Sequence, residues 1–166
     1  MCGDGDFERV MIKLNLVCVG KVKEKYFAEG IAEYAKRLSG YCDFKITEVE
    51  EENFKKAEKG EIGIIKQREG ARILPHLKGY VFVSAIEGKK FSSEDFSKKL
   101  KKAADERGVI TFVIGGSYGI AEEVKSRADE LISFSDMTFP HTLFRLMLTE
   151  QLYRAFSISA GTAYHK

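Results

Sequence analysis

Short apolar runs alternate with amphipathic segments along most of this chain. The apolar runs predict strands at residues 12–19, 44–49, 80–86, 109–114 and 131–134. Apolar residues at helical spacing predict helices at residues 26–38, 62–77, 92–108, 120–128 and 140–158. The nearly continuous apolar character of residues 80–86 and 109–114 is typical of strands that are covered on both faces. We therefore predict an α/β fold with a mostly parallel sheet and helices on both of its faces.

The composition suits one domain with a single buried core. The chain has 166 residues, of which 44% are hydrophobic, and this is ample for a core of ordinary size. The first ten residues carry three acidic side chains ahead of the first apolar run, unlike a secretory signal. We expect residues 1–10 to be an N-terminal extension, whose order the sequence leaves open, and residues 11–166 to form one domain.

Charge and cysteine content restrict the class of protein. A net charge of +2 excludes a strongly basic nucleic-acid binder, so any nucleic-acid contact must come from local patches. Cys2, Cys18 and Cys42 show neither paired spacing nor a histidine cluster, so we expect no disulfide framework and no metal site. The most apolar long segment, residues 138–158, contains two arginines and a glutamate, which disfavours a membrane span. These features favour a cytoplasmic protein.

A glycine-rich loop of sequence GGSYG, residues 115–119, follows the predicted strand at 109–114 directly. Such a loop lies at the carboxyl edge of a parallel sheet, where α/β proteins bind ligands, and its glycines let the backbone approach a ligand closely. A plain tight turn is the simpler alternative. The loop also matches the G-x-S-x-G elbow of serine hydrolases. That alternative would use Ser117 as nucleophile, Asp129 or Asp136 as acid, and His141 or His165 as base.

The C-terminal segment 134–166 contains a proline-started helix between two polar loops and two of the three histidines. His141 opens this helix, where the helix dipole favours a neutral imidazole. Arg145 and Arg154 lie nine residues apart and project on opposite sides, so one could contact a phosphate while the other pairs with Glu150 or serves an interface. Apolar residues cover more than one helix face, which predicts a homodimer interface; a fully buried core helix is the alternative.

Four stretches of this sequence carry a family resemblance: VCVGKVKEKYF, FVIGGSYG, FSDMTFPHTLFRLMLTEQLYRAF and the terminal AYHK, within a match that runs from residue 11 to residue 166. They resemble the RlmH family of ribosomal RNA methyltransferases, a branch of the SPOUT methyltransferases. The resemblance implies a C-terminal trefoil knot, a rare exception to the rule that folds avoid threading. It also implies methyl transfer from S-adenosylmethionine to N3 of a pseudouridine in helix 69 of 23S ribosomal RNA, on the assembled ribosome, by a homodimer.

The resemblance also assigns a cofactor pocket, which carries over onto eight positions of this sequence. These are Ser84, Gly115, Phe134, Ser135, Asp136, Met137, Thr138 and Phe139. Ser84 stands where relatives usually carry leucine, and Asp136 is acidic where several relatives are basic or small. If these contacts use backbone groups, as a glycine-lined pocket favours, such side-chain changes should matter little.

Methylation of a pseudouridine nitrogen requires loss of the imide proton, and therefore a base or a cation that stabilises the anion. The candidates are His165 as base or orienting group, Tyr164 for stacking or hydrogen bonding, and Arg154 for electrostatic stabilisation or phosphate contact. Sulfonium methyl transfer needs no metal and no covalent nucleophile. A serine hydrolase and a non-catalytic ribosome-binding factor are the alternative functions.

Overall fold

The computed structural model describes residues 11–53 and 57–165. The described strands are β1 (Lys13–Val19), β2 (Asp43–Val49), β3 (Tyr80–Lys89), β4 (Val109–Ile114) and β5 (Glu130–Ile132). They form one parallel sheet in the order β2-β1-β4-β3-β5. The predicted α/β fold with a parallel sheet is confirmed, whereas the expectation for residues 1–10 lies outside the described residues, and the knot stays a prediction.

Helices cover both faces of this sheet, as predicted. They are α1 (Lys25–Leu38), α2 (Lys59–Ile73), α3 (Ser93–Arg107), α4 (Glu122–Lys125) and α5 (His141–Ser159), with a short 3-10 turn (Leu74–His76) after α2. On one face, Phe82 and Phe112 stack at a centroid distance of 4.5 Å and pack with buried residues of α1, α3 and α5. On the other face, Val17 and Val113 pack with α2 and α4. Because successive strand residues point to opposite sides, each continuous apolar run supplies both cores.

The observed boundaries differ from the predicted ones mainly in the least periodic segments. α2 begins at Lys59 rather than at residue 62. The Glu61 carboxylate accepts a hydrogen bond from the backbone of Glu58 at 2.8 Å, and this contact stabilises the earlier start of the helix. Pro75 converts the end of the predicted helix into the 3-10 turn. The predicted helix at 120–128 is the single turn α4, and β5 ends at Ile132, so that residues 133 and 134 belong to the following loop.

Helix α5 begins directly after Pro140, and its first half is fixed to the sheet by a buried arginine. Arg145 is only 3% exposed, and it donates hydrogen bonds to Glu48 of β2 at 2.7 Å and to the carbonyl of Gly20 at 3.0 Å. Arg154 instead pairs with Glu150 on α5, which confirms that the two arginines serve different sides. No helix among the described residues is long and apolar enough to cross a bilayer.

Candidate active site

A cavity of about 390 Å³ lies beyond the carboxyl ends of β3, β4 and β5. This is the sheet edge at which open α/β folds bind ligands. Of the eight predicted cofactor residues, the cavity brings together Ser84, Gly115, Phe134, Ser135, Met137, Thr138 and Phe139. These residues come from three separate segments of the chain, so the parallel arrangement of the strands is what assembles them.

Tight folding of the glycine-rich loop after β4 exposes backbone to this cavity. A Cβ added to Gly115 would lie 2.4 Å from Cγ1 of Ile120, so the space beside this residue is already filled. Gly119 has a φ of +88°, in the left-handed region that favours glycine, and it bridges back to Gly116. Gly115 and Gly116 therefore present bare main chain to the cavity, as the sequence predicted.

Local hydrogen bonds shape the second wall, the loop of residues 133–139 before α5. The hydroxyl of Ser133 donates to the carbonyl of Ser135 at 2.9 Å, and the hydroxyl of Ser135 accepts from the backbone of Met137 at 3.1 Å. The Phe134 ring packs against Phe144 of α5 at a centroid distance of 4.7 Å. Asp136 is exposed and does not line the cavity, because its carboxylate turns outward to Lys90.

Charged side chains form a third part of the cavity wall. Lys125 of α4 donates to Glu87 of β3 at 2.6 Å, and this ion pair holds the pKa of Glu87 below its ordinary value and that of Lys125 above it. Lys66 of α2 and His141 at the start of α5 also line the cavity. Within residues 11–53 and 57–165, no group of His, Cys, Asp and Glu side chains is arranged to hold a metal ion.

The structure does not assemble the serine hydrolase alternative. Ser117 is exposed, and its hydroxyl contacts Glu51 at 3.3 Å rather than a histidine. Asp129 accepts from the backbone of Val81, near the amino end of β3. His165 is held by residues of α3 and α5 instead. The G-x-S-x-G match is therefore a turn sequence here, because a triad needs its members within hydrogen-bond reach.

The three predicted catalytic residues form one cluster at the C-terminal end of α5, which we call the tail cluster: Arg154, Tyr164 and His165. The Arg154 guanidinium lies over the Tyr164 ring, 4.9 Å from its centroid, and its Nη1 is 3.1 Å from Nδ1 of His165. Nε2 of His165 is 2.7 Å from Oε1 of Glu94. Because a guanidinium only donates, we assign a neutral imidazole that accepts at Nδ1 and donates from Nε2.

Glu150 of α5 organises this cluster. Its Oε1 accepts from Nε of Arg154 at 3.0 Å and from the Tyr164 hydroxyl at 3.1 Å. The hydrogen bonds that Arg154 donates to Glu150 raise the pKa of Arg154, and burial raises the pKa of the Tyr164 phenol, which stays protonated at neutral pH. The hydrogen bond with His165 lowers the pKa of Glu94. The tail cluster therefore offers a fixed cation, a phenol and a neutral imidazole.

The tail cluster does not line the cavity of its own chain: among the described lining residues, none lies beyond Phe144. A second, mostly apolar groove of about 480 Å³ adjoins that cavity and shares Ser133, Phe134 and Phe139 with it. Tyr34 of α1, Phe96 of α3 and residues of α5 complete this groove. The apolar surface that the sequence assigned to a dimer interface is thus partly open in the described chain.

Sequence reasoning missed two sets of polar residues. Glu94 looks in the sequence like an ordinary acidic residue in the first turn of a helix. It lies 71 positions before His165, so the sequence did not indicate their contact. Lys66, Glu87 and Lys125 carry no motif and meet only at the cavity. The sole sequence signal for them is that each belongs to an element next to the predicted sheet edge, which is too weak to single them out.

Comparison with known proteins agrees with this geometry. Residues 12–165 match the family model described as predicted SPOUT methyltransferase. The protein named ribosomal RNA large subunit methyltransferase H in Lactobacillus gasseri is 49% identical over 159 residues, which cover 93% of this chain and 100% of the relative. Proteins of the same name in Ligilactobacillus salivarius and Latilactobacillus sakei are 48% and 46% identical over the same shares of both chains.

Solved structures of low sequence identity share the fold. A probable methylase family protein from Haemophilus influenzae aligns with a TM-score of 0.54 at 11% identity, over 94% of this chain and 72% of that one. A probable methyltransferase from Bordetella pertussis aligns with a TM-score of 0.51 at 9% identity, over 89% of this chain and 96% of that one. The fold, the family model and the curated relatives agree, and the chain belongs to the SPOUT methyltransferase family.

Proposed function

We propose that this protein uses S-adenosylmethionine to methylate 23S ribosomal RNA, at N3 of a pseudouridine in helix 69 of the assembled ribosome in the cytoplasm. The observation that carries the proposal is the cavity that joins Ser84, Gly115 and the loop of residues 133–139 at the ligand-binding edge of the sheet. The near-half identity to proteins named ribosomal RNA large subunit methyltransferase H supports the substrate. The helix and the nucleotide come from the family resemblance.

The cavity fits the chemistry of this cofactor. Ile114, Ile120 and Phe144 provide an apolar wall for a nucleoside, while Gly115 and Gly116 provide backbone against which polar ring edges can lie. A volume of about 390 Å³ lies in the range of cavities that enclose ligands of this size. When bound, S-adenosylmethionine supplies a methyl group from its sulfonium, so the protein needs only to position the acceptor and manage one proton.

The tail cluster supplies the groups for that proton. The acceptor N3 would have to lose its proton to receive the methyl group, and negative charge develops on the base as that proton leaves. Nδ1 of His165 carries a lone pair that now faces Arg154, and the substrate N3–H can take the place of that contact. Arg154, held by Glu150, stabilises the anion, and the protonated Tyr164 phenol donates a hydrogen bond or stacks on the base.

A homodimer would bring the two halves of the site together. The cavity and the tail cluster are separate in one chain, while the apolar groove shares Ser133, Phe134 and Phe139 with the cavity. We propose that α5 of a second copy packs at this groove and places its tail cluster beside the cofactor of the first. Two-fold symmetry then forms two equivalent composite sites.

The cofactor claim is tested by calorimetric titration of the protein with S-adenosylmethionine. We expect one site per chain with micromolar affinity, and titration to millimolar concentration without heat would contradict the proposal. A non-catalytic ribosome-binding factor predicts ribosome association without any cofactor heat.

The tail claim is tested by removing residues 164–166. We expect methylation of ribosomes to fall by at least about a hundredfold, since general acid–base groups typically contribute that much. Cofactor affinity, measured in the same preparations, should change by less than about twofold because the cavity is formed elsewhere. The control is Tyr26→Ala, which removes a tyrosine that is 68% exposed on α1 and lines neither cavity. Unchanged turnover of the truncated protein would remove the tail from the mechanism.

A further inference from the structure

The charged wall of the cofactor cavity has no role in the function proposed so far. Its lysine and glutamate side chains are Lys66, Glu87 and Lys125, which come from α2, the end of β3 and α4, while His141 lies at the start of α5. The aromatic wall comes instead from Phe134, Phe139 and Phe144, in the loop before α5 and in α5 itself. The three phenylalanines thus lie on the α5 side of the sheet edge and the lysines and the glutamate on the α2 and α4 side, with Tyr118 between β4 and α4.

Lys66 differs from Lys125 because it is not paired with a carboxylate of residues 11–53 and 57–165. Glu87 accepts from Lys125 at 2.6 Å, and Glu122 adds a longer contact to the same lysine at 3.7 Å. No carboxylate of these residues lies within 4.0 Å of the Lys66 amine. The wall therefore carries two ammonium groups and one carboxylate, an excess of one positive charge facing the cavity.

We infer that Lys66 binds the carboxylate of the amino-acid part of S-adenosylmethionine, with the Lys125–Glu87 pair beside it; this inference rests on the proposed function. The cofactor has an aromatic nucleoside at one end and a zwitterionic amino acid at the other. An aromatic wall and a charged wall in one cavity match those two ends. Lys66 is half-buried, so a charge-assisted hydrogen bond there is less screened than on an open surface.

The Lys125–Glu87 pair has a complementary part in this arrangement. Glu87 is half exposed at its side chain while Lys125 is only 18% exposed, so the carboxylate oxygens can still accept further hydrogen bonds. The ammonium group of the cofactor is the donor that suits them. A fixed pair also keeps Lys125 from competing with Lys66 for the ligand carboxylate.

The test is calorimetric titration of Lys66→Met with three ligands that differ in the amino-acid part. They are S-adenosylmethionine, decarboxylated S-adenosylmethionine and methylthioadenosine, which lacks the amino acid altogether. We expect S-adenosylmethionine to bind about tenfold or more weakly to the variant, because one charge-assisted hydrogen bond is lost. Affinity for the two ligands without a carboxylate should change by less than about twofold. Equal losses for all three ligands, or no loss for any, would overturn the assignment.

Lys59→Met is the matched control, since Lys59 begins the same helix but does not line the cavity. It should bind all three ligands like the wild type. If Lys66→Met does not fold, as judged by circular dichroism, Lys66→Gln gives the same comparison with a polar side chain. If only the salt dependence of ribosome binding changes, Lys66 contacts an RNA phosphate and the carboxylate assignment is wrong. A wild type that binds none of the ligands would instead contradict the proposed function.

Discussion

Gly115 shows how a single position can control the cavity. Replacing it with alanine places a Cβ 2.4 Å from Ile120 Cγ1 and 3.2 Å from the backbone of Gly119, so the loop must move. We predict that Gly115→Ala lowers the free energy of unfolding by about 1–3 kcal/mol, the usual cost of overpacking. It should also weaken S-adenosylmethionine binding by at least about tenfold, because the displaced backbone lines the cavity. Urea denaturation and calorimetry measure the two effects.

Gly63 provides the opposite case on α2. A Cβ added there would meet nothing within 4 Å. Gly63→Ala should therefore raise the free energy of unfolding by about 0.5–1 kcal/mol through helix propensity, and leave cofactor binding unchanged. If Gly63→Ala and Gly115→Ala changed stability and cofactor binding alike, the close contact of the added Cβ with Ile120 would not explain the effect at Gly115.

The buried cysteines give a prediction about pH. Burial is the main cause that raises the pKa of the Cys18 and Cys42 thiols to about 12, from an ordinary value of 9.0. The folded state thus holds these protons more tightly than the unfolded state. Their contribution to stability is full below a pH of about 9 and is lost as the pH rises towards 12.

Thiol labelling checks this directly. In a Cys2→Ser background, so that only two thiols report, Ellman's reagent at a pH of about 8 should react at less than a tenth of the rate seen in urea. Rapid labelling of the folded protein would contradict the burial of these two side chains.

Among the elements, α5 depends for its position on the buried Arg145, whose partner Glu48 is 37% exposed at its side chain. The Arg145 side chain is 4% exposed, and its removal would leave Glu48 and the Gly20 carbonyl without their donor. We predict that Arg145→Ala lowers the free energy of unfolding by about 1–3 kcal/mol, because the Gly20 carbonyl and the partly buried Glu48 carboxylate lose their hydrogen-bond donor. Urea denaturation measures this loss.

The control is the arginine–glutamate pair on α1, which is more exposed than the pair of Arg145 and Glu48. Arg37 and Glu33 are 43% and 55% exposed at their side chains and lie 3.0 Å apart. Arg37→Ala should leave the free energy of unfolding nearly unchanged, because solvent screens an exposed pair. Equal losses from both variants would mean that burial does not determine the contribution of Arg145.

For the whole molecule, the composite site predicts complementation between two inactive chains. One variant lacks residues 164–166, and the other carries Ser84→Trp, which fills the cavity. Each variant alone should be inactive. A refolded equal mixture should recover about a quarter of wild-type activity, because half of its dimers are mixed and each has one intact site. A mixture as inactive as its components would show that each chain uses its own tail or that no dimer forms.

Much of the architecture follows from local patterns that are visible in the sequence. The continuous apolar runs around Phe82 and Phe112 predict parallel strands buried on both faces, because such strands need no alternation. The glycine-rich loop is a short-range signal that predicted a ligand site at the carboxyl edge of the sheet. The proline-started α5 is another, and it directed attention to the C-terminal segment. Boundaries failed at α2, where Gly63, Gly70 and Pro75 interrupt the helical periodicity, and at α4, which is a single turn.

The contacts between distant residues were beyond any local pattern. Glu94 contacts His165 across 71 positions, and Lys66 lines one cavity with Glu87 and Lys125 only because α2, β3 and α4 come together there. Asp136 belongs to the predicted cofactor loop, yet its side chain turns to Lys90. Local hydrogen bonding and hydrophobic periodicity thus determine the elements and the glycine-rich loop. Side-chain partners are chosen by packing in three dimensions, since burial and charge pairing depend on which elements meet.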